Sequence, residues 1–306
     1  MKVLIVASYN ENRYAPFIVE QANALIEKEC EIEYFGIVGK GIKGYLKAYN
    51  GLVKKVKEFK PDIVHAHYGL SGLLANLRRA VPVVTTYHGS DINLPKVLKL
   101  SKIAMRLSAF NIFVSQRNVN IVKPKQKFLL LPCGVNLPNY IEDDIIAIKQ
   151  QFNWQENKKY VLFAGAFDNK VKNAPLAQEA VRLLDDVELL ELKGYTRDQV
   201  TALFYVVDAF LMTSFTEGSP QVVKEAMACG CPIVSVDVGD VSERIDGLDG
   251  CYIAERNPQD VADKLTQALL FNSRTKGRER IIELGLTNDL VAKKLVDIYN
   301  DILNKK

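Results

Sequence analysis

Two glutamates, Glu217 and Glu225, stand eight positions apart in the most informative stretch of this sequence. Between them, Gly218 permits a tight turn, Ser219 is a favoured N-cap residue and Pro220 suits the first position of a helix. We therefore predict a helix that begins at Pro220, preceded by a loop with Glu217. Because ligands bind beyond the carboxyl ends of parallel strands, and helix N-terminal amides attract anions, both carboxylates could line one crevice. The alternative is two solvated structural glutamates.

The elements that position these carboxylates are apolar strand-like runs that alternate with helical patterns. The first set of runs is Val3 to Ala7, Ile32 to Phe35, Ile63 to Ala66, Val81 to Thr85, Asn111 to Ser115 and Phe128 to Leu131. The second set is Tyr160 to Ala164, Val187 to Leu192, Ala209 to Thr213, Pro232 to Val236 and Cys251 to Ile253. This alternation predicts an α/β protein with two doubly wound, Rossmann-like parallel sheets. We place the domains at 1–150 and 151–287, followed by a helix at 288–303.

Composition excludes several classes of protein. The five cysteines are odd in number and contain no C-x-x-C pair, which argues against a disulfide framework or a zinc ribbon and favours the reducing cytosol. The first apolar run is too short for a signal peptide, and no run is long enough to span a bilayer. Residues 1–150 carry net positive charge and the remainder net negative charge, which suggests an anionic partner. No nucleic-acid recognition motif is present, so we expect no nucleic acid.

Residues 40–60 have the pattern of a basic amphipathic helix. Its apolar residues recur at helical spacing and lysines stand among them, Lys40 and Lys43 included. The simplest interpretation is that the apolar stripe packs on the sheet. The alternative is docking at an anionic inner leaflet, to which each lysine near the surface contributes about 1 kcal/mol.

The three histidines of the chain all lie in one stretch. His65 and His67 alternate on one strand, so their side chains point the same way, and His88 ends the next strand. A metal site made of these histidines and Asp91 is an alternative, but the ligands lack a recognised spacing, and we expect no metal. Histidines packed at strand ends are the commoner outcome.

The stretch from Glu217 to Pro232 matches every fixed position of the pattern E-G-x-P-x4-E-A-x-A-x-G-x-P. In this stretch the chain resembles the large family of retaining glycosyltransferases with two Rossmann-like domains that face each other across a cleft, the GT-B architecture. The resemblance, strongest to the family 4-like group 1 enzymes, covers essentially the whole chain. It implies that the last helix packs back on the first domain. It also implies that the second domain binds a nucleotide sugar as co-substrate, with no cofactor.

Site roles follow from the resemblance alone. It implies that Glu217 contacts the donor sugar, that Glu225 holds the ribose hydroxyls, that Lys172 faces the diphosphate and that His88 faces the sugar. Gly165, Tyr195, Gly218, Ser219 and Pro220 complete the expected nucleotide-sugar site, although Tyr195 could equally cap the domain surface. Asn12, Arg13 and His67 are candidates for the acceptor side.

The sequence departs from the family at two places. The family places an arginine shortly before the lysine that faces the diphosphate, and here that position is Ala166. Neutralising a leaving diphosphate requires preorganised cations or amide donors. Because the arginine charge is missing, this role falls mainly to Lys172, and Lys170 or Arg13 could supply a second charge. The family's Gly-Gly pair after the first strand is also absent, and residues 8–16 are polar instead.

These expectations define the predicted function. We expect a metal-independent glycosyltransferase that moves a sugar, with retention, from a nucleotide-diphosphate sugar to a hydroxyl of a glycan or lipid-linked acceptor in cell-surface polysaccharide assembly. We expect it in the cytoplasm, and docking of residues 40–60 at the inner face of the membrane stays the alternative. The alternatives are a nucleotide-sugar epimerase on the same fold and a non-catalytic nucleotide-sugar-binding protein. A dehydrogenase is disfavoured because no G-x-G-x-x-G follows either domain's first strand.

Overall fold

The two sets of apolar runs form two separate parallel sheets. A computed structural model describes residues 1–10, 12–39, 41–78, 80–139 and 142–305, and its description of side chains also omits positions 42, 43 and 142–144. The chain divides into two units, of which the first is Met1–Gly134 with Leu286–Lys306 and the second is Val135–Gly285. Two Rossmann-like α/β units of this kind confirm the predicted fold class.

The first unit contains a six-stranded parallel sheet in the order β2-β1-β3-β4-β5-β6. Its strands are β1 (Lys2–Ser8), β2 (Glu31–Ile37), β3 (Ile63–His67), β4 (Val83–Tyr87), β5 (Phe110–Phe113) and β6 (Phe128–Leu130). Its helices are α1 (Pro16–Ile26), α2 (Gly41–Phe59), α3 (Gly69–Asn76), α4 (Ser90–Asn93), α5 (Pro95–Leu107), α6 (Gln116–Val122) and, after the second unit, α14 (Asn288–Leu303). Helices cover both faces of this sheet.

Alternation along β1 shows how the faces are covered. Val3 and Ile5 belong to a buried cluster with residues of α1 and α14, whereas Leu4 and Val6 belong to a cluster with residues of α2 and α3. Successive side chains of a strand point to opposite faces, so a strand buried on both faces reads as a continuous apolar run. This is why the strands of the sequence could be recognised.

The second unit contains a five-stranded parallel sheet in the order β11-β10-β9-β7-β8. Its strands are β7 (Lys159–Phe163), β8 (Val187–Glu191), β9 (Ala209–Met212), β10 (Ile233–Val236) and β11 (Cys251–Ala254). Its helices are α7 (Glu142–Gln151), α8 (Ala174–Val181), α9 (Arg197–Val206), α10 (Gln221–Ala228), α11 (Val241–Ile245), α12 (Pro258–Phe271) and α13 (Gly277–Glu283), with a 3-10 turn at Lys170–Lys172.

The segment 135–150, which contains most of helix α7, lies in the second unit, whereas the boundary predicted from the sequence places it in the first domain. Two side chains of the second unit bind the start of this segment. The Tyr205 hydroxyl donates to the Pro138 carbonyl at 2.8 Å, and the Arg278 guanidinium donates to the same oxygen at 2.6 Å. These long-range contacts have no local signature in the sequence.

Helix α2 carries its apolar stripe against the sheet. Leu52 and Phe59 are buried in the cluster that contains β1 residues, and Tyr49 and Val56 pack against that cluster. The simpler interpretation of the stripe therefore holds. Of the lysines named for this helix, Lys40 and the side chain of Lys43 lie outside the described residues. No helix within the described ranges is both long enough and apolar enough to cross a bilayer.

Candidate active site

In the second unit, Lys172 is held by the end of strand β9. The Thr213 hydroxyl donates to the Lys172 carbonyl at 2.9 Å, and the Phe215 amide donates to the Val171 carbonyl at 2.9 Å. The 3-10 turn is also capped by Asn169, whose side chain accepts from the Val171 amide at 3.1 Å. The backbone of Lys172 is thereby fixed at the carboxyl edge of the sheet, where parallel α/β units bind ligands.

The Lys172 side chain passes directly over Gly165. A Cβ added at position 165 would lie 3.0 Å from Cγ of Lys172, so a larger residue would push this side chain away. Its Nζ then reaches Oε1 of Glu217 at 2.7 Å, and the two side chains are only 20% and 18% exposed. Three residues predicted for the site are therefore in one place, and Lys172 and Glu217 form a partly buried ion pair.

The second glutamate of the pattern is bound by an arginine that sequence reasoning missed. Glu225 lies inside helix α10, and its Oε1 accepts from Arg197 at 2.9 Å. The Glu225 side chain is 12% exposed, whereas that of Arg197, the first residue of α9, is 40% exposed. Nothing in the local sequence indicates that the start of α9 lies beside α10.

The loop between the two glutamates differs from its prediction. Helix α10 begins at Gln221, one residue later than expected, and its N-cap is Pro220 with no side-chain cap. Ser219 is therefore not the cap. Its hydroxyl donates instead to Oδ2 of Asp240 at 2.8 Å, because this carboxylate lies against the loop and is the stronger acceptor.

Asp240 joins the loop to helix α11. Its carboxylate is buried, with 2% exposure, and Oδ2 also accepts from Nε of Arg244 at 2.9 Å. The neighbouring Gly239 lies so close that an added Cβ would be 2.7 Å from the Gly218 carbonyl oxygen. The position of the loop from Glu217 to Pro220 is thus set from the carboxyl end of β10. Apart from the glycine at position 239, the sequence contains no pattern that indicates the contact between residues 239–240 and this loop.

Replacing Gly239 with alanine is expected to displace this loop and to lower kcat/KM about 10²-fold, the cost of moving a catalytic group by about 1 Å. Gly247→Ala is the matched control. The two glycines have φ angles of +64° and +69°, but a Cβ at 247 would meet nothing closer than 4.0 Å. Both substitutions place alanine in the left-handed region of backbone conformation, which lowers stability by about 1–2 kcal/mol. Thermal unfolding measures this loss. Equal kinetic losses in both variants would show that strain, not the loop contact, is responsible.

Tyr195 packs against a neighbouring ring. Its centroid is 5.7 Å from that of Phe152, in an edge-to-face arrangement, and the side chain is partly exposed. This placement agrees with the capping alternative, and stacking on a nucleotide base stays a prediction.

In the first unit, the three histidines form a stack at the carboxyl ends of β3 and β4. The rings of His65 and His67 are 4.7 Å apart and those of His67 and His88 are 5.2 Å apart. His65 and His67 are fully buried, and burial lowers the pKa of His65 to about 3 and that of His67 well below its usual value. Both are therefore neutral. Tyr68 lies 4.5 Å from the His88 ring and Phe17 lies 4.9 Å from it, so His88 is placed by aromatic contacts.

Asp91 binds backbone amides. Its Oδ2 accepts from the Gly69 amide at 2.9 Å, and its Oδ1 accepts from the amides of His88 and Gly89 at 3.0 and 2.9 Å. Burial raises its pKa to about 6, and these amides act in the opposite direction. Asp91 thus clamps two loops together. Among the described residues, no group of three His, Cys, Asp or Glu side chains could hold a metal ion.

Of the candidate acceptor residues, His67 is the last residue of β3, and the other two lie in the turn after β1. Asn12 and Arg13 are exposed in a turn after β1, in which the Arg13 amide donates to the Asn10 carbonyl at 3.2 Å and Asn12 has φ +55°. A cavity of about 380 Å³ opens beside Tyr68 and Asp91. The cavity is lined mainly by apolar side chains and hydroxyl groups.

Sequence comparison matches both units to families of glycosyltransferases. Residues 18–138 match the family described as Glycosyltransferase Family 4, and residues 147–270 match Glycosyl transferases group 1. The putative teichuronic acid biosynthesis glycosyltransferase TuaC of Bacillus subtilis is 24% identical, and the match covers 70% of this chain and 62% of TuaC. N-acetyl-alpha-D-glucosaminyl L-malate synthase of Bacillus anthracis is 24% identical over 79% of this chain and 75% of that enzyme.

The fold is also found in solved structures. The Anabaena protein Alr3699/HepE, solved in complex with UDP, is 15% identical, covers 98% of this chain and 100% of its own, and superposes with a TM-score of 0.75. At this identity the likeness shows the fold. Since the two family matches together span most of both units, the chain belongs to the family 4-like group 1 glycosyltransferases with the GT-B fold.

Proposed function

We propose that this glycosyltransferase moves a sugar from a nucleotide-diphosphate donor to a hydroxyl of a glycan or lipid-linked acceptor, with retention and without a metal ion. The observation that carries the proposal is the Lys172–Glu217 ion pair, which lies at the carboxyl edge of the second sheet with Lys172 over Gly165. Retention rests on the signature between Glu217 and Pro232. Cytoplasmic polysaccharide assembly is the setting, and the name of the TuaC relative supports it.

The donor is assigned to the second unit. When the bond from the sugar to the diphosphate breaks, negative charge develops on the phosphate oxygens, and a preorganised cation stabilises it. Lys172 is that cation. Glu217 accepts hydrogen bonds from sugar hydroxyls while it orients the Lys172 ammonium group, and Glu225 accepts from the ribose hydroxyls beside Arg197. The products are the new glycoside, the nucleoside diphosphate and the proton of the acceptor hydroxyl.

The acceptor is assigned to the first unit. The cavity beside Tyr68 holds it. Asn12 and Arg13, which do not line this cavity, are assigned to contact the acceptor from the turn after β1, and His88 is assigned to orient the sugar or the acceptor oxygen. The UDP complex of the HepE structure supports a uridine donor as the first one to try.

The experiment that tests this proposal is incubation with UDP- and GDP-sugars, with and without candidate acceptors. Acceptor-dependent nucleotide release, abolished in Glu217→Ala, supports the transferase, and the anomeric configuration of the product decides retention. Acceptor-independent isomerisation of the sugar would indicate the epimerase. Tight nucleotide binding without turnover would indicate the non-catalytic protein, to which the loss of charge at Ala166 gives some weight.

Docking at an anionic membrane through residues 40–60 is a separate proposal. Lys47, Lys54 and Lys57 of α2 are exposed, and so is Leu46. At about 1 kcal/mol per lysine, replacing the three lysines with glutamine should weaken sedimentation with anionic vesicles on the order of 100-fold. The same replacement at the exposed Lys96, Lys99 and Lys102 of α5 is the control. Unchanged sedimentation of the α2 variant, or an equal loss in the control, would contradict the proposal.

A further inference from the structure

The two imidazoles of His67 and His88 share one hydrogen bond. Nδ1 of His67 lies 3.0 Å from Nε2 of His88, and Nδ1 of His88 lies 3.8 Å from Sγ of Cys133. A neutral imidazole carries one N–H donor and one bare acceptor nitrogen. The contacts that link His67, His88 and Cys133 can therefore be donated in only two directions. Either His67 donates to His88 and His88 donates to Cys133, or Cys133 donates to His88 and His88 donates to His67.

The remaining nitrogen of His67 decides between the two directions. Its Nε2 is buried and has no hydrogen-bond partner among the residues that the structure describes. If His88 donated from Nε2, the proton of neutral His67 would have to sit on this nitrogen, as a buried N–H with no acceptor. Orphaned buried N–H groups are rarer in proteins than buried acceptors that lack a donor. The proton of His67 is therefore on Nδ1, and it is donated to His88.

A charged His67 would escape this argument, because it would carry protons on both nitrogens. Burial and the neighbouring imidazoles His65 and His88 hold the pKa of His67 well below its usual value, so the neutral form is the relevant one. His65 uses both of its own nitrogens elsewhere. They lie 2.5 Å from the Tyr299 hydroxyl and 2.8 Å from Oγ1 of Thr86.

We propose that His67 is a positioning residue that fixes His88 as the tautomer protonated on Nδ1. His88 then meets a substrate oxygen as a hydrogen-bond donor and does not act as a general base through Nε2, which accepts from His67. In the absence of substrate the Nδ1 proton faces the Cys133 thiol, which is 7% exposed and lies 3.8 Å away, and a substrate oxygen would take the place of this weak acceptor. The consequence for the substrate rests on the proposed function, whereas the tautomer itself can be measured without any substrate.

The direct test is NMR of the full chain labelled with 15N-histidine. Because the chain has three histidines, three imidazole spin systems are expected, and the variants His67→Asn and His88→Gln assign two of them. The expected result is His88 with a protonated Nδ1 and a bare Nε2, and His67 with the same tautomer. A His88 ring protonated on Nε2, or a His67 ring protonated on Nε2, would overturn the proposal.

Two variants of His67 separate positioning from packing. The amide nitrogen of Asn can take the place of Nδ1 and donate to His88, so His67→Asn should keep the His88 tautomer and retain more of the wild-type kcat than His67→Leu does. His67→Leu removes the donor. In that variant the Nε2-protonated form of His88 should appear in the spectrum and kcat should fall about tenfold, with the donor KM unchanged, which corresponds to one lost hydrogen bond.

The outcomes remain distinguishable from failure of the proposed function. If His67→Leu keeps His88 protonated on Nδ1, His67 does not set the tautomer and the proposal is wrong. If His67→Leu does not fold, the tautomers of the wild type and of His67→Asn still decide it. If the wild type turns over no nucleotide sugar, the proposed function fails while the spectrum of His88 is unaffected.

Discussion

Replacing Lys172 with methionine is expected to lower kcat by about 10²- to 10³-fold, the usual cost of removing one group that stabilises developing charge. Methionine keeps an unbranched side chain that can cross Gly165, so the change removes the charge and leaves most of the packing. The effect should be large because the position at which the family resemblance implies an arginine is Ala166. On the proposed function, the charge stabilisation would then rest largely on Lys172 and on the amides at the start of α10.

Lys170→Met is the matched control for this prediction. Lys170 lies in the same 3-10 turn, two residues earlier, and its side chain is exposed. We expect it to stay within about threefold of the wild type, because an exposed lysine is screened by solvent. Steady-state release of the nucleoside diphosphate, with saturating acceptor, measures both variants. Wild-type turnover in Lys172→Met would remove Lys172 from the role proposed here, and an equal loss in Lys170→Met would mean that the two lysines share it.

Part of the loss in Lys172→Met arises from Glu217, whose carboxylate would lose its 2.7 Å partner next to the anionic donor. Glu217→Gln in the Lys172→Met background removes that repulsion. If Glu217 acts only as the partner of Lys172, the double variant should be faster than Lys172→Met by the share of the loss that the repulsion causes, while the share due to the missing cation remains. If Glu217 also binds the sugar, as proposed, the double variant should stay as slow as Lys172→Met or become slower.

The fold was predictable from the sequence because its signals are local. The inner strands of the two sheets are short, largely apolar runs buried on both faces, such as Val161 to Phe163 in β7, and such runs are visible without knowing what they pack against. The predicted helix after Glu217 exists, displaced by one residue. The two sheets followed from the separation of the runs into two sets.

The candidate site was predictable only where one loop contains the signal. Glu217 and Glu225 share a motif, and the 2.7 Å contact of Glu217 with Lys172 joins residues that the family resemblance had already singled out. Arg197 and Asp240 were missed because each meets its partner through the tertiary structure, at sequence separations of 28 and 21 positions. The cap assigned to Ser219 was wrong for the same reason.

Replacing Asp91 with alanine is expected to reduce the free energy of unfolding of the first unit by about 3–5 kcal/mol. The carboxylate is 2% exposed and accepts from the amides of Gly69, His88 and Gly89. Alanine would remove the carboxylate acceptor of two buried amides, those of Gly69 and Gly89, and of the part-buried His88 amide, at a cost of about 1–3 kcal/mol for each buried amide before the loops relax. Urea denaturation followed by circular dichroism measures the loss, and fluorescence of the single tryptophan, Trp154, reports on the second unit.

Asp91→Asn tests the same prediction with a smaller change, whose stability should fall between those of the other two proteins. If its amide oxygen faces His88 and Gly89, asparagine keeps two of the three bonds and loses only the one to Gly69, so its stability should lie between that of the wild type and Asp91→Ala. Asp62→Ala is the control, because Asp62 also accepts from a backbone amide, that of Lys2 at 2.8 Å, but is exposed and should cost less than about 1 kcal/mol. If Asp91→Ala is no less stable than Asp62→Ala, the carboxylate does not hold the two loops together. Because one of those loops contains His88, kcat of Asp91→Asn should fall as well. This result would show that the hydrogen bonds of Asp91 also hold the His88 imidazole in position.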